Sequence, residues 1–133
     1  MIKHFDWSLY TRLSEEILTF TDSHPDLSEA SLRCAISRAY YGAFCSARNL
    51  LTKTDVSILS NDGSVHSTVI NKYKNNPNKI YKNIGAKLNR LREVRIKADY
   101  KDFGDIKDIN LEKTKEFIRI SYLIINDLNN MRI

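Results

Sequence analysis

The stretch LREVRIKADY, residues 91–100, brings two arginines and an aspartate together at helical spacing. Arg92, Arg95 and Asp99 recur at three and four residues, the separations at which side chains on a helix become neighbours. A guanidinium presents a planar fork of N–H donors that matches phosphate or carboxylate oxygens two at a time. Asp99, one turn beyond Arg95, can hold that fork in place or form an ordinary ion pair with it, and Tyr100 adds a phenol beside it. A second stretch, SRAYYGAFCSARNLL over residues 37–51, carries Ser37, Arg38 and Tyr41 within about one turn. Adjacent helical residues point about 100° apart. Tyr40 therefore falls in line with Ile36, Ala43 and Phe44 as core, while Tyr41, Ser37, Arg38 and Arg48 look elsewhere. Ser37 and Tyr41, one turn apart, can meet the helix that bears Arg95 and Asp99.

Other chemistries find less support. The chain holds three histidines and two cysteines, without metal-ligand spacing among them. His4 and His24 fall at a terminus and a turn, where solvent is their expected partner. His66 opens a helix beside a basic segment, and a surface or capping place is expected for it. Cys34 and Cys45 lie on one helix about 16 Å apart at about 1.5 Å per residue, too far for a disulfide. Both are expected to be small buried hydrophobes. No glycine-rich phosphate loop, paired-cysteine motif or nucleophile elbow is present.

The elements that must position these residues are helices. Only four glycines and two prolines interrupt 133 residues, and no segment alternates as a strand would. Apolar spacing predicts a first helix from about Asp6, its cap, to Phe20, marked by Trp7, Leu9, Leu13, Ile17 and Leu18. Pro25 breaks the chain, and Asp26 or Ser28 can cap a second helix reaching Thr52. Asn61, Asp62 and Gly63 signal a turn. Helices over about 65–75 and 78–100 follow, and Asn110 is placed to cap the last. One domain over residues 1–133 is expected, an all-α antiparallel up-and-down bundle of four to five helices.

Charge is unevenly spread. Between Val65 and Lys101 ten Lys/Arg face only Glu93 and Asp99, although the whole chain nets +5. Such a segment is a solvated face or a surface for phosphates or an acidic partner. No run approaches the roughly 20 apolar residues of a membrane span. The first residues lack the apolar core of a signal peptide, so a cytoplasmic protein is expected.

Three stretches, taken in order, resemble one family. SRAYYGAFCSARNLL is similar to the central helix of HEPN-domain proteins, in the small prokaryotic branch with a Ser-x-Ala-Tyr-Tyr-x-x-Phe pattern. VHSTVINKY resembles that branch's histidine-bearing third helix. LREVRIKADYKDF resembles its Leu-Arg-x-x-Arg-x-x-Ala-Asp-Tyr signature, and the likeness runs from about Ser28 to Asn129. The resemblance implies a helical bundle acting as a homodimer in a toxin–antitoxin or phage-defence module, often beside a small nucleotidyltransferase antitoxin. It implies metal-independent ribonuclease chemistry, without a cofactor, in a basic cleft at the dimer interface. Arg95, Asp99 and Tyr100 would then hold the catalytic positions, supported by Arg92, Ser37, Arg38, Tyr41 and His66.

The chain departs from that family at one point. Active members carry a histidine shortly after the arginine, and here none follows Arg95. Attack by an RNA 2′-hydroxyl needs a base near neutral pKa. A carboxylate beside a guanidinium is too weak a base and a phenol titrates too high, so Asp99 and Tyr100 are no ready substitutes. The expectation is an RNA-acting protein. The alternative is a non-catalytic module that binds a nucleotide or a nucleotidyltransferase.

Overall fold

The computed structural model describes residues 4–53 and 64–131. Five α-helices pack against one another: α1 (Ser8–Ser23), α2 (Ser28–Thr52), α3 (Val65–Lys74), α4 (Lys79–Tyr100) and α5 (Leu111–Asn130). No strand occurs among the described residues, and the architecture is an all-α bundle. The turn predicted at Asn61–Gly63 lies outside the described residues. No described helix is long and apolar enough to cross a membrane.

The helix boundaries follow local chemistry. Trp7, not the expected Asp6, stands at the N-cap of α1, and Asp6 lies one residue before it, where its side chain still accepts from the Ser8 amide at 3.1 Å. Asn78 Oδ1 accepts from Ile80 N and Asn110 Oδ1 from Lys113 N, each at 2.8 Å, so both asparagines cap as their type predicts. The start of α2 differs. A 3₁₀ turn over Pro25–Leu27 feeds directly into it, Leu27 stands at the cap, and neither Asp26 nor Ser28 supplies a side-chain cap. The 3₁₀ bonding itself takes up the orphan groups, since Ser28 N donates to Pro25 O.

α2 is the hub, packed on all four other helices. Leu32, Ile36, Ala39, Tyr40, Ala43, Phe44 and Ala47 form its buried face. Gly42 lets α1 approach: a Cβ there would stand 2.1 Å from Thr11 Oγ1 and 2.9 Å from Thr11 N. The inward face of α1 accordingly consists of Thr11 and Ser14, whereas Leu9, Leu13 and Phe20 are exposed. Ser121 Oγ of α5 donates to Ala39 O at 2.7 Å, so it accepts from Thr11 Oγ1 at 2.9 Å. This chain of hydroxyls ties α1, α2 and α5 where their backbones come closest.

α3 and α4 meet by the same device. A Cβ on Gly85 would lie 2.6 Å from Lys74 N. Tyr73, wholly buried, donates to Ala47 O at 2.8 Å and fastens α3 to α2. One cysteine departs from expectation: Cys45 is buried, but Cys34 is exposed. It sits off the stripe of Leu32 and Ile36 that faces the core.

Candidate functional site: a buried arginine cluster around His66

Among the described residues Arg95 is the one charged residue with a buried side chain, 6% exposed. Helical phase puts it there, because it shares a face of α4 with Leu88, Leu91 and Ala98. Its guanidinium lies over the rings of Tyr40 and Tyr41, 5.1 and 5.2 Å from their centroids, with Tyr100 at 6.0 Å. Such faces offset part of the cost of removing a cation from water. Arg95 Nη1 donates to Asp99 Oδ2 at a long 3.4 Å, and Ser37 Oγ donates to the same oxygen at 3.3 Å. Asp99 thus orients Arg95 and is itself steadied from α2.

The cluster remains short of acceptors. The Nε of Arg95 and the Nε of Arg92 are both buried without a hydrogen-bond partner. Arg92 Nη1 reaches Ser67 Oγ at 3.1 Å. Two unanswered guanidinium donors in one place fit an anion better than they fit a purely structural role, since an unmade bond at a buried charged group costs at least about 1–3 kcal/mol.

His66 belongs to this cluster, half-buried in the first turn of α3, whose N-cap is Ser64. Its Nδ1 lies 2.7 Å from the Tyr40 hydroxyl. The ring stacks on Phe44 at 4.4 Å and 16°, and meets Tyr41 edge-on at 5.9 Å. Burial lowers its pKa to about 4, helped by the charges of Arg95, Arg92 and Arg48. The imidazole is therefore neutral at physiological pH. Burial also raises the Tyr40 phenol above its ordinary range, against the pull of Arg95 and Arg92.

Of the residues singled out from sequence, Ser37, Tyr41, His66, Arg92, Arg95, Asp99 and Tyr100 come together. Arg38 does not join them, since its guanidinium lies over the Tyr10 ring of α1 at 5.2 Å. Tyr100 is 73% exposed at the cluster's rim, and no hydrogen bond ties a tyrosine to Asp99. Sequence reasoning missed Arg33, whose Nη1 donates to Lys97 O at 3.2 Å and Ala98 O at 3.0 Å. Those bonds close the last turn of α4, which carries Asp99 and Tyr100. Arg33 is four residues before Ser37, so the shared face of α2 was the available signal.

The basic segment is partly neutralised. Arg90 pairs with Glu116 at 3.1 Å, Lys97 with Asp105 at 3.0 Å and Lys87 with Asp127 at 3.9 Å. A cleft of about 490 Å³ between α1 and α5, walled by Leu18, Ile118 and Tyr122, shares no residue with the arginine cluster. Among the described residues no group of His, Cys, Asp or Glu is arranged to hold a metal ion. Comparison with family models, with curated proteins and with solved structures gave no match for this chain.

Proposed function

We propose that this chain is an HEPN-like protein of a toxin–antitoxin or phage-defence module that acts on RNA by gripping a phosphate at the Arg92–Arg95–His66 cluster. The observation that carries this reading is the pair of buried guanidinium nitrogens, Arg92 Nε and Arg95 Nε, left without acceptors. A phosphate supplies acceptor oxygens to both, and charge-assisted bonds of this kind are the strong ones. The Arg95 guanidinium packs against the rings of Tyr40 and Tyr41, and Asp99 keeps it from swinging away. In transesterification the same fork would meet the charge that builds on the phosphorane oxygens.

The protein would work in the cytoplasm as a homodimer, with a small nucleotidyltransferase as its antitoxin. Tyr100 is exposed at the rim of the site, and Ile96 and Phe103 are exposed on the same stretch of chain, which supports a second copy covering them. A specific observation also favours the non-catalytic reading. Among the described residues Asp99 is the carboxylate tied to Arg95, and its Oδ2 already accepts from Arg95 and Ser37, so it serves to position the arginine.

The deciding experiment is incubation of the purified protein with total RNA in the presence of a chelator, beside Arg95→Lys. Fragments that appear with wild type and not with the variant establish metal-independent cleavage. RNA retained intact by wild type, and lost by the variant, establishes the binding module. RNA that is neither cleaved nor retained by the wild-type protein overturns the RNA reading.

A further inference from the structure

We infer that His66 serves the cluster as a neutral hydrogen-bond donor, its Nε2–H offered to a phosphate oxygen, with the Tyr40 hydroxyl locking that tautomer. The inference rests on the phosphate-binding reading of the site and deepens it by assigning the role of one residue.

The tautomer follows from counting donors and acceptors. Tyr40 is fully excluded from solvent, so no water reaches its hydroxyl. Its one hydrogen-bond partner among the described residues is His66 Nδ1, at 2.7 Å. A buried phenol that merely accepted there would leave its own proton unanswered, at the cost of a lost bond. The hydroxyl therefore donates to Nδ1. A neutral imidazole carries one proton, so Nδ1 as acceptor puts that proton on Nε2.

The charges around the ring keep it in this form. Among the described residues the groups that act on His66 are Arg95 and Arg92 of α4 and Arg48, Tyr40 and Tyr41 of α2, and none of these is a carboxylate. Three guanidiniums oppose a fourth positive charge. Nε2 has no hydrogen-bond partner among the described residues and is not among their buried unpaired nitrogens. Arg92 Nε, Arg95 Nε and His66 Nε2–H then form a set made only of donors. That composition suits an anion whose every exposed atom accepts, namely the non-bridging oxygens of a phosphate. It also removes His66 as the general base, because its one free lone pair is committed to Tyr40.

Two measurements test this on the full chain. Nitrogen-detected NMR of the histidine rings should show His66 as the Nε2–H tautomer, unchanged across about pH 5 to 8, where an unperturbed histidine titrates. Tyr40→Phe should abolish that preference. A wild-type ring protonated on Nδ1, or one that titrates within that window, overturns the assignment. Binding is then measured with inorganic phosphate, a nucleoside 5′-monophosphate and a short single-stranded RNA, which separates a free phosphate from a phosphodiester as the source. His66→Gln places an amide N–H where Nε2–H stood and should bind within about threefold of wild type. His66→Ala should lose about tenfold or more, as expected for a bond to a charged group. Arg95→Lys should lose binding in either case. If Arg95→Lys abolishes binding but His66→Ala leaves it intact, the role of His66 falls and the phosphate site stands. If wild type binds none of the three ligands, both fall.

Discussion

Burial against Phe44 and the charges of Arg95, Arg92 and Arg48 hold the His66 pKa near 4, against 6.5 for the free side chain. A histidine depressed in the folded state makes its full contribution above pH 6.5, where both states are neutral. Below that the unfolded chain takes up the proton first, so stability falls progressively to about pH 4 and then levels. Chemical denaturation between these limits should show this loss, and His66→Gln should flatten it. An unchanged slope in the variant would mean the titration belongs elsewhere. The inward place of His66 was legible in principle. It lies three, four and seven residues before Val69, Ile70 and Tyr73, which form the buried stripe of α3. Its position at the start of the helix pointed instead to a capping role, while the Tyr40 hydroxyl that captures it is distant in sequence.

Among the elements, the helices and most of their ends follow from spacing and caps. Asn110 was readable as a cap because an N-cap is a local event, completed within two or three residues, and Asn78 caps α4 by the same device. The entry to α2 was not, since the 3₁₀ turn replaced a side-chain cap. The inward face of α1 was also hidden. Leu9 and Leu13 look like core by type, yet the close approach at Gly42 demands small residues, and Thr11 and Ser14 supply them. Gly42→Ala tests this contact: its Cβ would overlap Thr11 side chain and backbone, and the cost expected of overpacking is about 1–3 kcal/mol by urea denaturation. A variant as stable as wild type would mean that α1 is free to shift away from α2. The cluster depends on α4 in the same way. One helical phase buries Arg95 with Leu91 and Ala98, and Arg33 of α2 closes the turn that presents Asp99.

At the scale of the whole molecule, the excess positive charge between Val65 and Lys101 is only partly answered by α5 and the loop before it. The proposed dimer predicts a mass by light scattering of twice the chain's 15.4 kDa at tens of micromolar. A monomer at that concentration would leave the exposed Tyr100 and Phe103 uncovered and argue against a shared site. The all-α bundle could be read from the near absence of glycine and proline, whereas the pairing of α3 with α4 that completes the cluster required three dimensions. The central claim is that Arg95, buried with an unanswered Nε, holds the phosphate of an RNA. The most direct measurement is binding of a short single-stranded RNA over a salt series, for wild type and Arg95→Lys. Wild-type affinity should fall with salt, by about 0.7 in the slope of log affinity against log salt for each phosphate contact. Arg95→Lys should stay folded, because it keeps the charge, and should lose the RNA, because a lysine cannot reproduce the fork. A folded Arg95→Lys that binds as wild type does, with the same slope, would contradict the account.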